Sequence, residues 1–202
     1  MSGTLSTVSI SIRDCALTSV TSFIAAIGFF EHINLLYGTV SEFCNLTSCP
    51  EMVGPGPRTY MWLDDKGKKS KLSAPQYVDY VMTYVQKVVN DESVFPTKHG
   101  NEFPANFDIV LKKVQKLLFH VVAHIYHSHF REVRQSLLIP ESSHYDINSQ
   151  IVLLGLHAHL NSIFAHIIEY NFFYHIIEEK EIEVLQVSLP STCVVSPRKT
   201  ND

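Results

Sequence analysis

The stretch Ala123-His-Ile-Tyr-His-Ser-His-Phe130 closes an apolar helical pattern and places three of the chain's eleven histidines within six positions. Far upstream, Cys44 and Cys49 flank the four residues Asn45-Leu-Thr-Ser48. Cysteine thiolates and imidazoles are the usual ligands of structural zinc, and two cysteines in one turn can reach a single ion. These residues predict that one Zn²⁺, held by the two cysteines and two histidines, links distant parts of a helical bundle.

Helix geometry narrows the choice of histidines. In a straight α-helix, residues three or four apart lie on one face, whereas residues five apart point about 140° away from each other. His124 therefore pairs best with His120 or His127. His129 can join His124 only if the helix ends or distorts before His129, or if the two side chains reach around the helix. The alternatives to a metal site are hydrogen-bonded core histidines, buried free thiols, or a disulfide between the two cysteines in an exported chain.

The common catalytic motifs are absent from the sequence. It contains no His-Glu-x-x-His, no phosphate-binding glycine loop and no Gly-x-Ser-x-Gly elbow. A zinc ion that already has four protein ligands offers no open position to a substrate. This favours a structural over a catalytic metal, and no motif in the sequence points to acid–base catalysis by its Asp and Glu residues. A zinc hydrolase is the minor alternative.

Length and composition describe one well-packed domain. The chain has 202 residues, of which 46% are hydrophobic and 18% charged, and its formal net charge is −4. Such a chain can bury a substantial core and has no overall attraction for nucleic acid. The apolar run from Val20 to Phe30 stops at Glu31 and follows a poor signal-peptide leader. We therefore expect no membrane span and an intracellular location.

The hydrophobic pattern predicts a mainly α fold: a single-domain helical bundle with a small β-hairpin. We expect helices from about Thr18 to Leu36, from a Ser73-Ala-Pro-Gln76 capping box to Asn90, from about Ala105 to Phe130, and from near Ile151. The hairpin strands are Arg58–Leu63 and Lys69–Leu72. The domain boundaries are a flexible leader at 1–16, the helical domain at 17–187 with a long connection at 134–152, and a disordered tail at 188–202.

Lysines are concentrated around the hairpin turn, at positions 66, 68, 69 and 71. Exposed lysines on a short hairpin typically prevent edge-to-edge strand pairing. A binding role for phosphate or acidic groups is the alternative interpretation.

Five motifs together resemble the Mob kinase-activator (Mob/phocein) family, and most closely its Mob2-type branch. They are Leu35–Cys44 followed by four residues and Cys49, Ser73–Tyr80, Val94–Lys98, Ala123–Tyr126 and His157–Asn161. They occur in the family's order and are highly specific as a set.

The resemblance implies a helical adaptor without enzymatic activity that binds the N-terminal regulatory segment of NDR/LATS-type AGC kinases and modulates their activity in Hippo-type signalling. It implies a cytoplasmic protein that can also enter the nucleus. It further implies that the zinc ligands are Cys44, Cys49, His124 and His129. This differs from the choice made by helix geometry and requires the helix to end or distort near His127.

The resemblance also identifies candidate binding surfaces. The family's kinase-facing helix carries acidic residues and a tryptophan that Val20–Gly28 lacks, which leaves Glu31 and Glu42 as acidic contacts. Phosphopeptide-binding members carry a Lys-Arg-x-x-Arg group just before the zinc histidine. Here Lys113, Lys116 and His120 would form a degraded version of that site without bidentate arginines. A phosphopeptide-binding scaffold is therefore the alternative function.

Overall fold

The computed structural model describes residues 4–56, 58–64, 66–96, 103–135, 160–171 and 177. It confirms a mainly helical fold. The helices are α1 (Thr4–Val40), α2 (Ala74–Val89), α3 (Phe107–Ser128) and α4 (Phe130–Gln135), and residues 160–171 are also helical. Four two-residue strands complete the described elements: β1 (Val53–Gly54), β2 (Arg58–Thr59), β3 (Trp62–Leu63) and β4 (Lys69–Ser70).

Helix α3 lies at the centre of the bundle. Its ten consecutive residues 117–126 are all buried, whereas a surface helix buries only one stripe. Helices α1 and α2 and strand β1 all pack against α3. The predicted helix from Ala105 to Phe130 is nearly correct, but it stops at Ser128, and Phe130 begins α4. The single residue between the two helices is His129.

Helix α1 is longer than predicted. It includes the expected range Thr18–Leu36 and extends to Thr4 and Val40. Residues 1–16 were predicted as a flexible leader, and the described part of that segment is helical because no proline or glycine interrupts positions 4–27. Further along, α1 buries a stripe at helical spacing that faces the core, consisting of Ala26, Ile33, Leu36 and Val40.

Helix α2 begins after Ser73, but the predicted capping box does not form. The Ser73 hydroxyl makes no capping hydrogen bond, and its oxygen is buried without a hydrogen-bond partner among the described residues. The Ala74 N–H instead donates to the Cys49 carbonyl at 3.1 Å. The helix buries Tyr77, Val81, Val85 and Val88 at helical spacing, whereas Tyr80 is exposed.

The hairpin region forms two separate pairs of strands, whereas the sequence predicted one hairpin. Strands β3 and β4 form the predicted hairpin, with Trp62 opposite Ser70 and Leu63 opposite Lys69. The predicted strand Arg58–Leu63 is wrong as one unit, because the N–H of the buried Tyr60 donates to the Met52 carbonyl at 2.7 Å. Its first half, β2, pairs with β1.

The helical segment 160–171 covers one side of the bundle. Leu160, Ile163, Phe164 and Ile167 are buried, as the helical period predicts, and the Tyr126 hydroxyl donates to the Asn161 side chain. The start of this predicted helix near Ile151, all but the first two residues of the 134–152 connection, and the 188–202 tail lie outside the described residues. Among the helices that are described, none is both long and apolar enough to cross a membrane.

Candidate metal centre

Four buried side chains meet where the end of α1, the end of α3 and β1 come together. They are Cys44, Cys49, His124 and His129, and one potential ligand atom from each lies within 4.8 Å of all the others. Cys44 follows α1 directly, and its N–H donates to the Val40 carbonyl at 3.0 Å. His124 lies in the last two turns of α3. Residues 80 positions apart in sequence are thus brought into contact.

The turn between the cysteines is fixed by its own polar side chains. The Asn45 side-chain oxygen accepts hydrogen bonds from the N–H groups of Thr47 and Ser48, both at 3.0 Å. Asparagine commonly forms this kind of turn with the backbone that follows it. The Cys49 N–H then donates to the Asn45 carbonyl at 2.8 Å. This compact turn directs both sulfur atoms to the same side.

His129 reaches the cluster because it leaves the helix. Its φ of −125° and ψ of 7° are not helical, although its N–H still donates to the Ile125 carbonyl at 2.9 Å. Helical hydrogen bonding resumes when the Val133 N–H donates to the His129 carbonyl at 3.0 Å. Because His129 leaves the helix, its side chain no longer points about 140° away from that of His124, as it would in a straight helix. The rings of His124 and His129 lie 5.2 Å apart.

The distances fit a tetrahedral metal ion. The Cys44 Sγ lies 3.6 Å from His124 Nε2, and the Cys49 Sγ lies 3.4 Å from His129 Nε2. A tetrahedral zinc with ordinary Zn–S and Zn–N bonds has nitrogen-to-sulfur edges of about 3.6 Å. Both cysteines are free thiols, which excludes the disulfide alternative in this structure. The cluster can therefore hold a metal ion with four protein ligands.

Two neighbouring groups orient this donor set. The His124 Nδ1 lies 2.8 Å from the Val53 carbonyl oxygen, which can only accept a hydrogen bond. Nδ1 therefore carries the proton, and Nε2 presents its lone pair to the cluster. The Tyr37 hydroxyl is hydrogen-bonded to the Cys44 sulfur. Such outer contacts fix the tautomer and orientation of metal ligands.

Burial sets the protonation states of the cluster without metal. It lowers the pKa of His124 to about 4, partly offset by the hydrogen bond to Val53, and it lowers the pKa of His129 against the opposing charge of Glu132. Both imidazoles are therefore neutral at pH 7 and ready to ligate. Burial raises the pKa of Cys44 to about 12 despite the Tyr37 hydrogen bond. A metal ion would have to displace this proton.

The two histidines that helix geometry favoured lie elsewhere. His120 is buried, its Nδ1 is hydrogen-bonded to the Tyr77 hydroxyl at 2.8 Å, and its ring stacks on Tyr60 at 4.0 Å. Burial, together with the nearby Lys116 charge, lowers its pKa to about 3. His127 is exposed. The preference for His120 or His127 as the partner of His124 is therefore wrong, since it assumed a helix that continues past His129.

The remaining candidate residues do not form a single site. Lys113 lies over the Tyr84 ring, 4.5 Å from its centroid, whereas His120 faces the interior. The three residues of the candidate phosphate site are therefore not presented together to solvent. Glu31 and Glu42 are both exposed, at the positions expected for contacts with a partner.

Sequence reasoning missed Val53 and Tyr37 as contacts of the centre. Val53 contributes only a backbone carbonyl, which leaves no signal in its residue type. Tyr37 lies seven residues before Cys44, two helical turns away, and this spacing was the available signal.

Comparison with known proteins gives a consistent result. The Mob1/phocein family matches residues 20–141, which include all four residues of the cluster. Over 160 residues, or 79% of this chain, the sequence is 50% identical to MOB kinase activator-like 2 of Drosophila melanogaster. Over 157 residues, or 78% of this chain, it is 43% identical to MOB kinase activator 2 of Homo sapiens. These names agree with the Mob2-type branch that the motifs indicated.

The matched part of this chain spans different shares of its relatives' own lengths. The matched part spans 25% of the Drosophila protein and 58% of the human protein. It spans 69% of MOB kinase activator-like 1 homolog A of Dictyostelium discoideum, at 41% identity over 165 residues. Because the family match covers more than half of the chain, the chain belongs to the Mob1/phocein family.

Proposed function

We propose that this chain is a non-catalytic adaptor that binds the N-terminal regulatory segment of NDR/LATS-type kinases and modulates their activity. Membership in a family of kinase activators implies a kinase-activating adaptor role. The choice of kinase class rests on the resemblance described above. The observation that carries the proposal is an exposed, mixed acidic and apolar stripe along α1.

This stripe, the α1 face, consists of six positions spaced four and three residues apart: Ile24, Gly28, Glu31, Leu35, Gly38 and Glu42. The first five lie in α1, and Glu42 follows in the next turn. Ile24 is 63% exposed and Leu35 is 62% exposed. Alternating steps of four and three are the spacing with which one helix packs along another. Along this face Ile24, Glu31, Leu35, Gly38 and Glu42 are exposed, and Gly28 is partly exposed.

The chemistry of the α1 face fits a basic, amphipathic helix. No side chain of the described residues forms an ion pair with the Glu31 or Glu42 carboxylate. Gly28 and Gly38 have no atoms near the position of a Cβ, so a partner backbone can approach closely there. A helix with lysines or arginines beside aliphatic residues would therefore match the α1 face in charge and in shape.

A groove continues the α1 face to one side. It has a volume of about 440 Å³ and is lined by α1 residues and by the helical segment 160–171, from which His166, Glu169 and Tyr170 contribute. The Glu169 carboxylate is exposed and adds a third acidic group beside the face. The groove thus offers space for a long basic side chain of the partner helix.

The metal would act as a structural support for this surface, and we propose that it is Zn²⁺. The Cys44 and Cys49 sulfurs and the His124 and His129 Nε2 atoms would hold it. The chemistry that zinc supplies in a four-ligand site is cross-linking, without Lewis-acid activity. The cluster ties the turn that carries Glu42 to the end of α3. By binding one state of the kinase better than another, the chain would shift the kinase between those states.

The direct test is binding of a fluorescently labelled kinase N-terminal segment to the purified chain. We expect binding that weakens as salt increases, because exposed charges are screened. Glu42→Lys and Glu31→Lys should each reduce affinity by about tenfold, since each replaces an attraction with a repulsion. Glu92→Lys is the matched control, because it reverses the charge of an exposed side chain that is not part of the α1 face.

Two outcomes would contradict the proposal. The first is no salt-sensitive binding to any segment of an NDR/LATS-type kinase. The second is binding that Glu42→Lys and Glu92→Lys weaken to the same extent, because a non-specific charge effect would then explain the result.

A further inference from the structure

The lysine-rich hairpin presents one flat face to solvent, and the proposed function does not use it. Side chains alternate between the two faces of a strand. In β3 and its flank, Met61 and Leu63 are exposed while Trp62 is partly buried. In β4 and its flank, Lys69 and Lys71 are exposed while Ser70 is partly buried. We call Met61, Leu63, Lys69 and Lys71 the hairpin face.

The strand register places these apolar and basic side chains next to each other. Leu63 lies directly opposite Lys69. Continuing the antiparallel register by two residues places Met61 opposite Lys71. Met61 and Leu63 are each 46% exposed. The face is therefore a row of aliphatic side chains beside a row of ammonium groups.

The positive charge on this hairpin is poorly neutralised. Among the described residues, Lys66, Lys68 and Lys69 form no ion pair, and only Lys71 reaches a carboxylate, that of Glu51 at 3.2 Å. Both partners of that pair are strongly exposed, and such pairs are weak and readily exchanged. The face thus attracts negative charge.

The hairpin is held rigidly against α2. The Trp62 ring packs edge-on against Tyr77 at 5.7 Å and against Tyr80 at 5.4 Å. Tyr77 is fully buried and hydrogen-bonded to His120 in the central helix. A surface that is ordered before binding loses little entropy when a partner docks.

We propose that the hairpin face docks an extended, acidic peptide segment of a partner protein. Aspartate or glutamate carboxylates would contact Lys69 and Lys71, and aliphatic side chains of the same segment would pack on Met61 and Leu63.

The charges of the turn favour a peptide over an anionic membrane. Asp64 lies at the tip, where its side chain accepts hydrogen bonds from the N–H groups of Lys66 and Lys68 at 2.9 and 2.8 Å, and a second aspartate follows it in the sequence. Inserting this tip among lipid headgroups would bring carboxylates against negative charge. A peptide lying across the hairpin face avoids the tip.

The test is fluorescence anisotropy with the full chain and a short labelled peptide in which glutamates alternate with leucine and valine. Matched peptides carry glutamine or phosphoserine in place of glutamate, and vesicles of phosphatidylcholine with phosphatidylserine form a separate arm. We expect the glutamate peptide to bind at least tenfold more tightly than the glutamine peptide. Lys69→Glu and Met61→Ser should each weaken it severalfold, whereas the exposed α3 variant Lys112→Glu should leave it unchanged.

The remaining outcomes would overturn the proposal. Binding of phosphoserine but not glutamate peptide would indicate a phosphate site, and binding to vesicles alone would indicate a membrane surface. Equal affinity for the glutamate and glutamine peptides, or equal loss in Lys69→Glu and Lys112→Glu, would remove the hairpin face as the binding site. Thermal melts of each variant establish that it is folded, and Lys69→Gln checks that lost charge alone weakens binding.

Discussion

The carbonyl oxygen of Val53 accepts a hydrogen bond from His124 Nδ1 at 2.8 Å, and this contact connects β1 to the central helix at the metal cluster. It fixes the imidazole so that Nε2 faces the Cys44 sulfur. The cluster therefore joins three parts of the chain: the turn after α1, the first strand and the end of α3. Its integrity should control the stability of the whole bundle.

Removal of the metal should destabilise the fold. We expect about one equivalent of zinc per chain. We expect chelation or Cys49→Ser to lower the unfolding temperature by roughly 10 °C, because a lost buried ligand removes several kcal/mol of stability. Metal analysis and calorimetry measure both quantities. His127→Ala, which changes an exposed neighbour, should retain metal and melting temperature. A metal content far below one equivalent in protein purified without chelators would contradict this prediction.

The Tyr37 hydroxyl should tune the metal site. Tyr37→Phe removes the hydrogen bond to the Cys44 sulfur and leaves the ring in place. Loss of an outer-shell partner typically costs about tenfold or more in metal affinity. Competition with a chromophoric chelator measures this change. Tyr80→Phe removes an exposed hydroxyl and serves as control, so equal affinities of the two variants would show that the Tyr37 contact has no effect.

His120 should make the fold sensitive to acid. Burial lowers its pKa to about 3 from the ordinary 6.5, so below pH 6.5 the unfolded chain takes up a proton that the folded chain does not. The contribution of His120 to the unfolding free energy is fully present above pH 6.5 and is lost as the pH falls towards 3. In this range the unfolding free energy changes by up to about 1.4 kcal/mol per pH unit because of this histidine.

Urea unfolding at several pH values between 7 and 5 tests this linkage. His120→Gln should reduce the dependence of the unfolding free energy on pH, even if it also lowers stability at pH 7. His127→Gln, at an exposed position, is the matched control and should keep the wild-type slope. An unchanged slope in His120→Gln would show that this histidine is not the source.

Substitution by alanine should raise the stability at one glycine and lower it at another. A Cβ at Gly28 would meet no atom within 4 Å, so Gly28→Ala should stabilise helix α1 by up to about 1 kcal/mol. A Cβ at Gly54 would lie 2.6 Å from the buried Tyr60 ring, which stacks on His120. Gly54→Ala should therefore cost about 1–3 kcal/mol. Chemical denaturation measures both changes, and two effects of the same sign would contradict this packing.

Much of the fold could be predicted from the sequence, because the relevant signals are local. The apolar stripes of α2 and α3 repeat at helical spacing, and burial follows them closely. The predictions failed where a distant group competed with a local one. The strand predicted through Tyr60 is divided because the Tyr60 N–H donates to the Met52 carbonyl, eight residues away in the sequence.

The sequence by itself determined the helical class, the family and the residue types of a metal site. The helical class depends on periodicity, the family on its sequence motifs, and the residue types of the metal site on the spacing of Cys and His. The tertiary structure decided which histidines belong together. His120 and His124 share a helix face in any straight helix, but the tyrosines around His120 and the break at His129 reverse that choice. A backbone break and a packed neighbour are properties of the whole fold, so the spacing of histidines could not reveal them.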